Sequence, residues 1–169
     1  MSRATSVRPA TADDTAAIIT VYLEAWRAGY EGILDPAELE VQAQKRASYD
    51  WHGAITRPER VVFVAEHEFV IVGVAECEPD APTDRRARLQ ILYLVPGAWG
   101  TGAAAALVDA SLAEAHRAGR RAVWLELVQA QARARRFYER EGWRLDASIP
   151  PVSNGLVRLL HYRHDVTAF

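Results

Sequence analysis

The chain is predicted to fold as one mixed α/β domain of about seven strands and four helices, and three observations carry that prediction. Short β-branched runs and helical stretches follow one another in the order strand, two helices, three strands, helix, strand, helix, two strands. A buried-looking strand, 87–95, passes through Pro96 into a glycine loop that opens an alanine-rich helix. The length of 169 residues suits a single domain, 1–169, able to bury about two thirds of its unfolded surface. No internal repeat, low-complexity segment or linker divides it.

Residues 6–9 form a short first strand, and Thr11-x-x-Asp14 before Ala16 has the spacing of a capping box. The helix that follows runs to about Ala28, with Ile18, Val21, Tyr22, Ala25 and Trp26 on one apolar stripe. Gly29, Gly32 and Pro36 break the chain, and 37–55 reads as a second, more polar helix with room for a break. The runs 60–66 and 70–77, separated by His67-Glu68-Phe69, form a hairpin. A charged loop, 78–86, leads into the strand 87–95. Residues 103–117 are helical with Gly119 as stop, 123–128 a strand, and 132–141 a helix ended by Gly142. Two closing strands, 144–148 and 156–164, flank Pro150-Pro151.

Composition excludes several functions. Twenty basic and 22 acidic residues give a net charge of -2, so no global basic field points to nucleic acid. No apolar run approaches a membrane span, and Met1 to Ser6 lack the apolar core of a signal peptide, so the expected compartment is cytoplasmic. Cys77 stands alone and reads as a small strand residue. The five histidines show no ligand spacing with it or with a carboxylate cluster, so no metal is implied.

The stretch from Leu92 to Ala106 carries the chemistry. The first turn of a helix leaves backbone N–H groups without internal partners and adds about half a positive charge, so an anion is favoured there. Gly100 and Gly102 let a phosphate approach without a Cβ in the way. Gly100-x-Gly102-x-x-Ala105 also fits the dinucleotide fingerprint, with Glu126 near the place of a ribose-binding carboxylate. Against it, Pro96 to Trp99 separate strand and loop, and too little chain remains for a doubly wound sheet.

With Trp124-Leu125-Glu126-Leu127-Val128 and the segment Ala134 to Trp143, this loop resembles the acyl-CoA-binding heart of the GCN5-related N-acetyltransferases, the GNAT family, in its bacterial form. The resemblance extends over nearly all of residues 5–165 and includes Ala25 to Pro36, similar to the family's substrate-side helix and loop. It implies a central mixed, mostly antiparallel sheet whose strands splay at the cofactor site, with acetyl-CoA as co-substrate. The family's diphosphate motif maps onto Trp99, Gly100, Thr101, Gly102, Ala103 and Ala104, with Trp99 in place of the usual Gln or Arg, so binding is expected to rest on backbone amides. A backbone N–H near Leu94 or Val95 would face the thioester oxygen. Gln131 takes the place of a common Asn that bonds the cofactor amide, and Arg133, beside Arg136 and Arg140, could meet a CoA phosphate.

An alkyl amine with a pKa near 10.4 must lose a proton before it attacks. Where many members carry a Glu, eleven residues before Trp99, this chain has Arg88. The expected base is Glu126, twelve residues before the expected acid Tyr138, the arrangement of enzymes that resemble the ribosomal-protein alanine acetyltransferases. In so apolar a strand Glu126 should be partly desolvated, which favours a base; the competing reading is an ion pair with a nearby Arg. Glu76 is the reserve candidate and a water chain a third.

For the acceptor, Trp26, Tyr30, Glu31 and Asp35, joined by Trp51, would form a wall of aromatic faces and carboxylates that attracts a cationic or amphipathic amine or a peptide N-terminus. The implied activity is acetyl transfer from acetyl-CoA to a primary amine in a ternary complex, with a homodimer left open and no membrane or nucleic-acid partner. The alternative is an acyl-CoA-binding sensor without turnover.

Overall fold

The computed structural model describes residues 5–80 and 84–166; the middle of the predicted loop 78–86 and the first four residues lie outside the described set. Strand β1 (Ser6–Pro9) is followed by a 3-10 turn (Ala12–Asp14) and helix α1 (Thr15–Tyr30). The Thr11 N–H donates to Asp14 Oδ2 at 2.7 Å, as the capping-box spacing predicts. The stretch 37–55 is two helices, α2 (Pro36–Ala47) and α3 (Trp51–Thr56). Each has its own aspartate cap: Asp35 accepts from Ala37 and Glu38 N–H, and Asp50 from Gly53 N–H at 2.8 Å.

The hairpin is β2 (Val61–His67) and β3 (Val70–Pro79), turning at Glu68 and Phe69, both with positive φ. Then come β4 (Arg86–Leu94), α4 (Ala103–Arg117), β5 (Ala122–Val128) and α5 (Ala132–Arg140). The chain closes with β6 (Arg144–Leu145), β7 (Val152–Ser153) and β8 (Arg158–Asp165). The strand expected over 144–148 stops after two residues, because Asp146 Oδ1 accepts from the Ser148 backbone at 3.1 Å and from its hydroxyl, closing a local turn.

The sheet order is β1-β2-β3-β4-β5-β8-β6, with β7 also on β8, and β4–β5 is its one parallel pair among the described residues. This pairing holds only for Arg86↔Ala122, Ala87↔Val123 and Arg88↔Trp124; beyond it, β4 and β5 part and neither edge is covered by the other. Leu89, Leu94, Leu125 and Leu127 face α4 through Leu107 and Val108, while Ile91 packs with Ile18, Val21 and Tyr22 of α1 on the opposite face. Trp26 and Tyr30 close a smaller cluster against Val128.

Candidate functional site

The parting of β4 and β5 opens a cleft of about 920 Å³, a size that fits a large small-molecule ligand. Backbone geometry makes its walls polar. Val95 N–H donates to Val72 carbonyl at 3.0 Å, and partners in an antiparallel ladder alternate, so at Gly73↔Leu94 the Leu94 N–H turns from β3 towards the gap. Across the gap, Gln129 N–H bonds Arg158 carbonyl and Val166 N–H bonds Arg121 carbonyl, so the same alternation turns the amides of Glu126 and Val128 away from β8 and towards β4. Two half-strands therefore present free edges to each other.

At one end lies the glycine loop. Gly100 and Gly102 have φ of +75° and +89°, and nothing stands within 4 Å of where a Cβ would be on either. Gly102 caps α4; Ala106 N–H is the first to bond back within the helix, to Gly102 carbonyl, leaving the Ala104 and Ala105 amides at the open N-terminus. Thr101 turns its hydroxyl inward to Ala98 carbonyl at 2.7 Å, and Ala103 is fully buried. Trp99, which lacks the family's polar side chain, uses its indole N–H instead to hold Leu94 carbonyl at 3.0 Å. The Arg133 guanidinium lies 3.2 Å from the centre of the Trp99 ring, and partial burial pulls its pKa down. Arg136 and Arg140 continue this cationic wall along α5.

Tyr138 is buried among Phe137 and Trp143, both edge-on to it, and its hydroxyl makes no protein hydrogen bond among the described residues while its ring lines the cleft. Burial pushes this phenol above its ordinary pKa. Glu126 is the one carboxylate among the described residues lining the cleft. Its Oε2 accepts from Arg88 at 2.7 Å, and His161 Nε2 lies 3.4 Å from Oε1.

The family model for the acetyltransferases (GNAT) matches residues 18–143, three quarters of the chain. The chain belongs to this family. An uncharacterized N-acetyltransferase of Mycobacterium bovis and another of Mycobacterium tuberculosis are each 42% identical to it over 94 residues, 56% of this chain. The chain aligns with 59% of the length of these relatives. The PaiA N-acetyltransferase of Thermoplasma acidophilum, solved with coenzyme A, superposes with a TM-score of 0.81 at 18% identity, over 94% of this chain and 98% of that one. YncA of Salmonella typhimurium, solved with acetyl-CoA, gives 0.73 at 21% identity, over 99% and 96%. These likenesses establish the GNAT fold.

Several residues expected at this GNAT site have other partners or lie outside the cleft lining. Val95 cannot offer its N–H to a thioester oxygen, because Val72 already takes it; Leu94 can. The Glu126 side chain is 30% exposed and ion-paired with Arg88, the Arg partner that the competing reading named. Gln131 donates its amide nitrogen to Gly29 carbonyl at 3.0 Å, tying α5 to the end of α1. Glu76 is fully buried outside the cleft lining, accepting from Tyr49 at 2.5 Å and Arg60 at 2.7 Å; burial raises its pKa against both partners.

The acceptor wall of rings and carboxylates does not form. Glu31 is exposed outside the cleft lining, Asp35 is spent on capping α2, and Trp26 and Trp51 are core residues. Tyr30 does line the cleft, stacked on Trp26 at 4.7 Å, and it is joined by Tyr22, Tyr49, Tyr93 and Arg46, which sequence reasoning missed. A second, smaller hollow of about 220 Å³, lined by Trp124, Asp146 and His161, includes neither the glycine loop nor Tyr138. Among the described residues no group of three or more His, Cys, Asp or Glu could hold a metal, and no helix is long and apolar enough to cross a membrane.

Proposed function

We propose that this chain transfers the acetyl group of acetyl-CoA to a primary amine of a small molecule or peptide, by direct attack in a ternary complex. One observation supports the proposal: the glycine loop and first turn of α4, the free edges of β4 and β5, and Tyr138 all line a single cleft. The GNAT neighbours solved with coenzyme A and acetyl-CoA support the same ligand here.

In this reading the amides at Gly102, Ala104 and Ala105 take the diphosphate, with Arg133 on its Trp99 platform adding charge. The pantetheine arm pairs with the edges at Leu94, Glu126 and Val128 as an added strand would. The Leu94 N–H then faces the thioester oxygen and stabilises charge developing there. Glu126, oriented by Arg88, takes one proton from the ammonium group, and the freed nitrogen attacks the carbonyl carbon. As the N–C bond forms, the C–S bond breaks and Tyr138 protonates the departing sulfur. One of the two protons left on nitrogen then passes through water to the phenolate, and the amide keeps the other. Tyr138 is protonated at neutral pH and so has a proton to give, with burial raising its pKa further.

The sensor reading draws on one observation, that Arg88 occupies the cleft's carboxylate, Glu126. Free thiol measured against a panel of amines separates the two. Amine-dependent release of CoA with an acetylated product by mass spectrometry is expected; saturable acetyl-CoA binding with no release would establish the sensor instead.

A further inference from the structure

Arg46, in the last turn of α2, is a cation on the α1 side of this cleft. Its guanidinium lies 4.4 Å from the centre of the Trp26 ring, and Trp26 is itself fully buried and stacked on Tyr30. Among the described residues no carboxylate lies within ion-pair distance of it; its NH1 reaches the Gln42 carbonyl at 3.4 Å and side-chain oxygen at 3.3 Å, and its guanidinium also engages the neutral Tyr22 hydroxyl. Arg133 of the same cleft also lies over an indole with no ion pair among the described residues, but beside the glycine loop, whereas several other arginines are paired. Arg88 in the same cleft holds Glu126, Arg27 holds Glu40, and Arg60 holds Glu76 and Glu78. Around Arg46 stand neutral phenols: its charge acts on Tyr22, Tyr30 and Tyr93, opposing the rise that burial imposes on each.

Its position assigns it to the acceptor rather than to acetyl-CoA. Tyr22 and Tyr30 belong to α1, and Tyr93 packs with the α1-side core, on the opposite sheet face from α4. The cations near the glycine loop belong to α5. A half-buried guanidinium with only neutral partners repels a second positive charge and favours an anion. Every amine substrate arrives as a cation, so a molecule with nothing but amines is disfavoured there unless it also carries a negative group.

We infer that the acceptor is an amine that also bears a carboxylate, an amino acid or a similar small amino-carboxylic acid, with Arg46 holding the carboxylate and the tyrosines covering an apolar body. Lying over an indole, the guanidinium keeps its in-plane N–H groups available for the two oxygens of a carboxylate. This rests on the acetyltransferase reading, and it narrows the cationic or amphipathic amine or peptide N-terminus that the sequence suggested.

The test is CoA release by the full-length protein with matched acceptors: apolar amino acids, the same compounds as carboxamides, a diamine, and phosphoethanolamine. The free acids are expected to exceed their amides in kcat/KM by roughly 10–100-fold, the span of a lost charge-assisted hydrogen bond. Arg46→Gln should bring that ratio to about 1 while leaving acetyl-CoA affinity unchanged, and Arg46→Lys should restore part of it. Equal use of acid and amide by wild type, preference for the diamine or for phosphoethanolamine, or an unchanged ratio in Arg46→Gln each overturns the inference and leaves the transferase reading standing. No amine-dependent release with any compound overturns both.

Discussion

Helix α4 carries a positive-φ glycine just outside each end, Gly102 at +89° and Gly119 at +76°, and neither has an atom within 4 Å of its missing Cβ. Replacing either by alanine therefore introduces left-handed strain without a clash. That strain costs about 1–2 kcal/mol, offset by about 0.4–1 kcal/mol from a less flexible unfolded chain, for a net loss of about 1 kcal/mol. In a domain of this size the loss lowers Tm by roughly 2–4 °C. Both variants should fold and melt alike. Only one should bind CoA poorly, because a Cβ at Gly102 meets a phosphate docking on the open helix N-terminus, whereas Gly119 lies at the other end. Loss of one charge-assisted hydrogen bond, about 1.5–3 kcal/mol, weakens CoA about 10–150-fold. Calorimetric titration of CoA into wild type, Gly102→Ala and Gly119→Ala, with melting curves of each, makes the comparison. Equal CoA affinity for the two variants would refute the assignment of the diphosphate to this loop.

Three further outcomes are expected. Glu126→Gln should lower kcat by roughly 10²–10⁴ with CoA affinity nearly unchanged; its stability should fall by less than about 1 kcal/mol, since the Arg88 pair is partly exposed. A wild-type pH–rate profile in that variant would remove Glu126 as base. Tyr138→Phe should reduce kcat and leave Tm within about 1 °C, because the hydroxyl has no protein hydrogen bond among the described residues to lose; full activity would hand thiolate protonation to water. Arg8, donating two hydrogen bonds, holds the Asp14 carboxyl down to about 2 from an ordinary value of 3.8. A depressed folded-state pKa stabilises above the unfolded value and is lost as pH falls through the folded one, so this contribution disappears between about pH 4 and pH 2. Urea melts should show wild type losing about 1 kcal/mol more than Asp14→Asn over that window, the full linkage value being reduced for a pair partly open to solvent; parallel curves would contradict the pairing.

Local signals in the sequence were legible. The alanine run and Gly119 bound α4 at Ala103–Arg117 as read, and the capping box and hairpin stand where their residues put them. Register and long-range charge were not. Arg88 and Glu126 are 38 residues apart and meet only because three parallel pairs join β4 to β5. Val95 loses its free amide because the chain stays on β3 for one residue beyond β4. Arg46 did leave a trace: it continues the Leu39–Ala43 stripe of α2 at helical spacing, a charge on the apolar face packed towards Trp26. What the sequence could not supply was that no carboxylate among the described residues stands opposite it.

Amide hydrogen exchange followed by NMR, with and without saturating CoA, tests the free-edge account most directly. Without ligand, Val95 and Gln129 should be protected by their bonds to Val72 and Arg158, while Leu94, Glu126 and Val128 on the open edges exchange faster. On adding CoA, protection should rise at Leu94, Val128 and the α4 N-terminal amides Ala104 and Ala105, with Val95 little changed. Protection that appears instead around the hollow at Trp124 and His161, or no change on either edge at saturation, would contradict it.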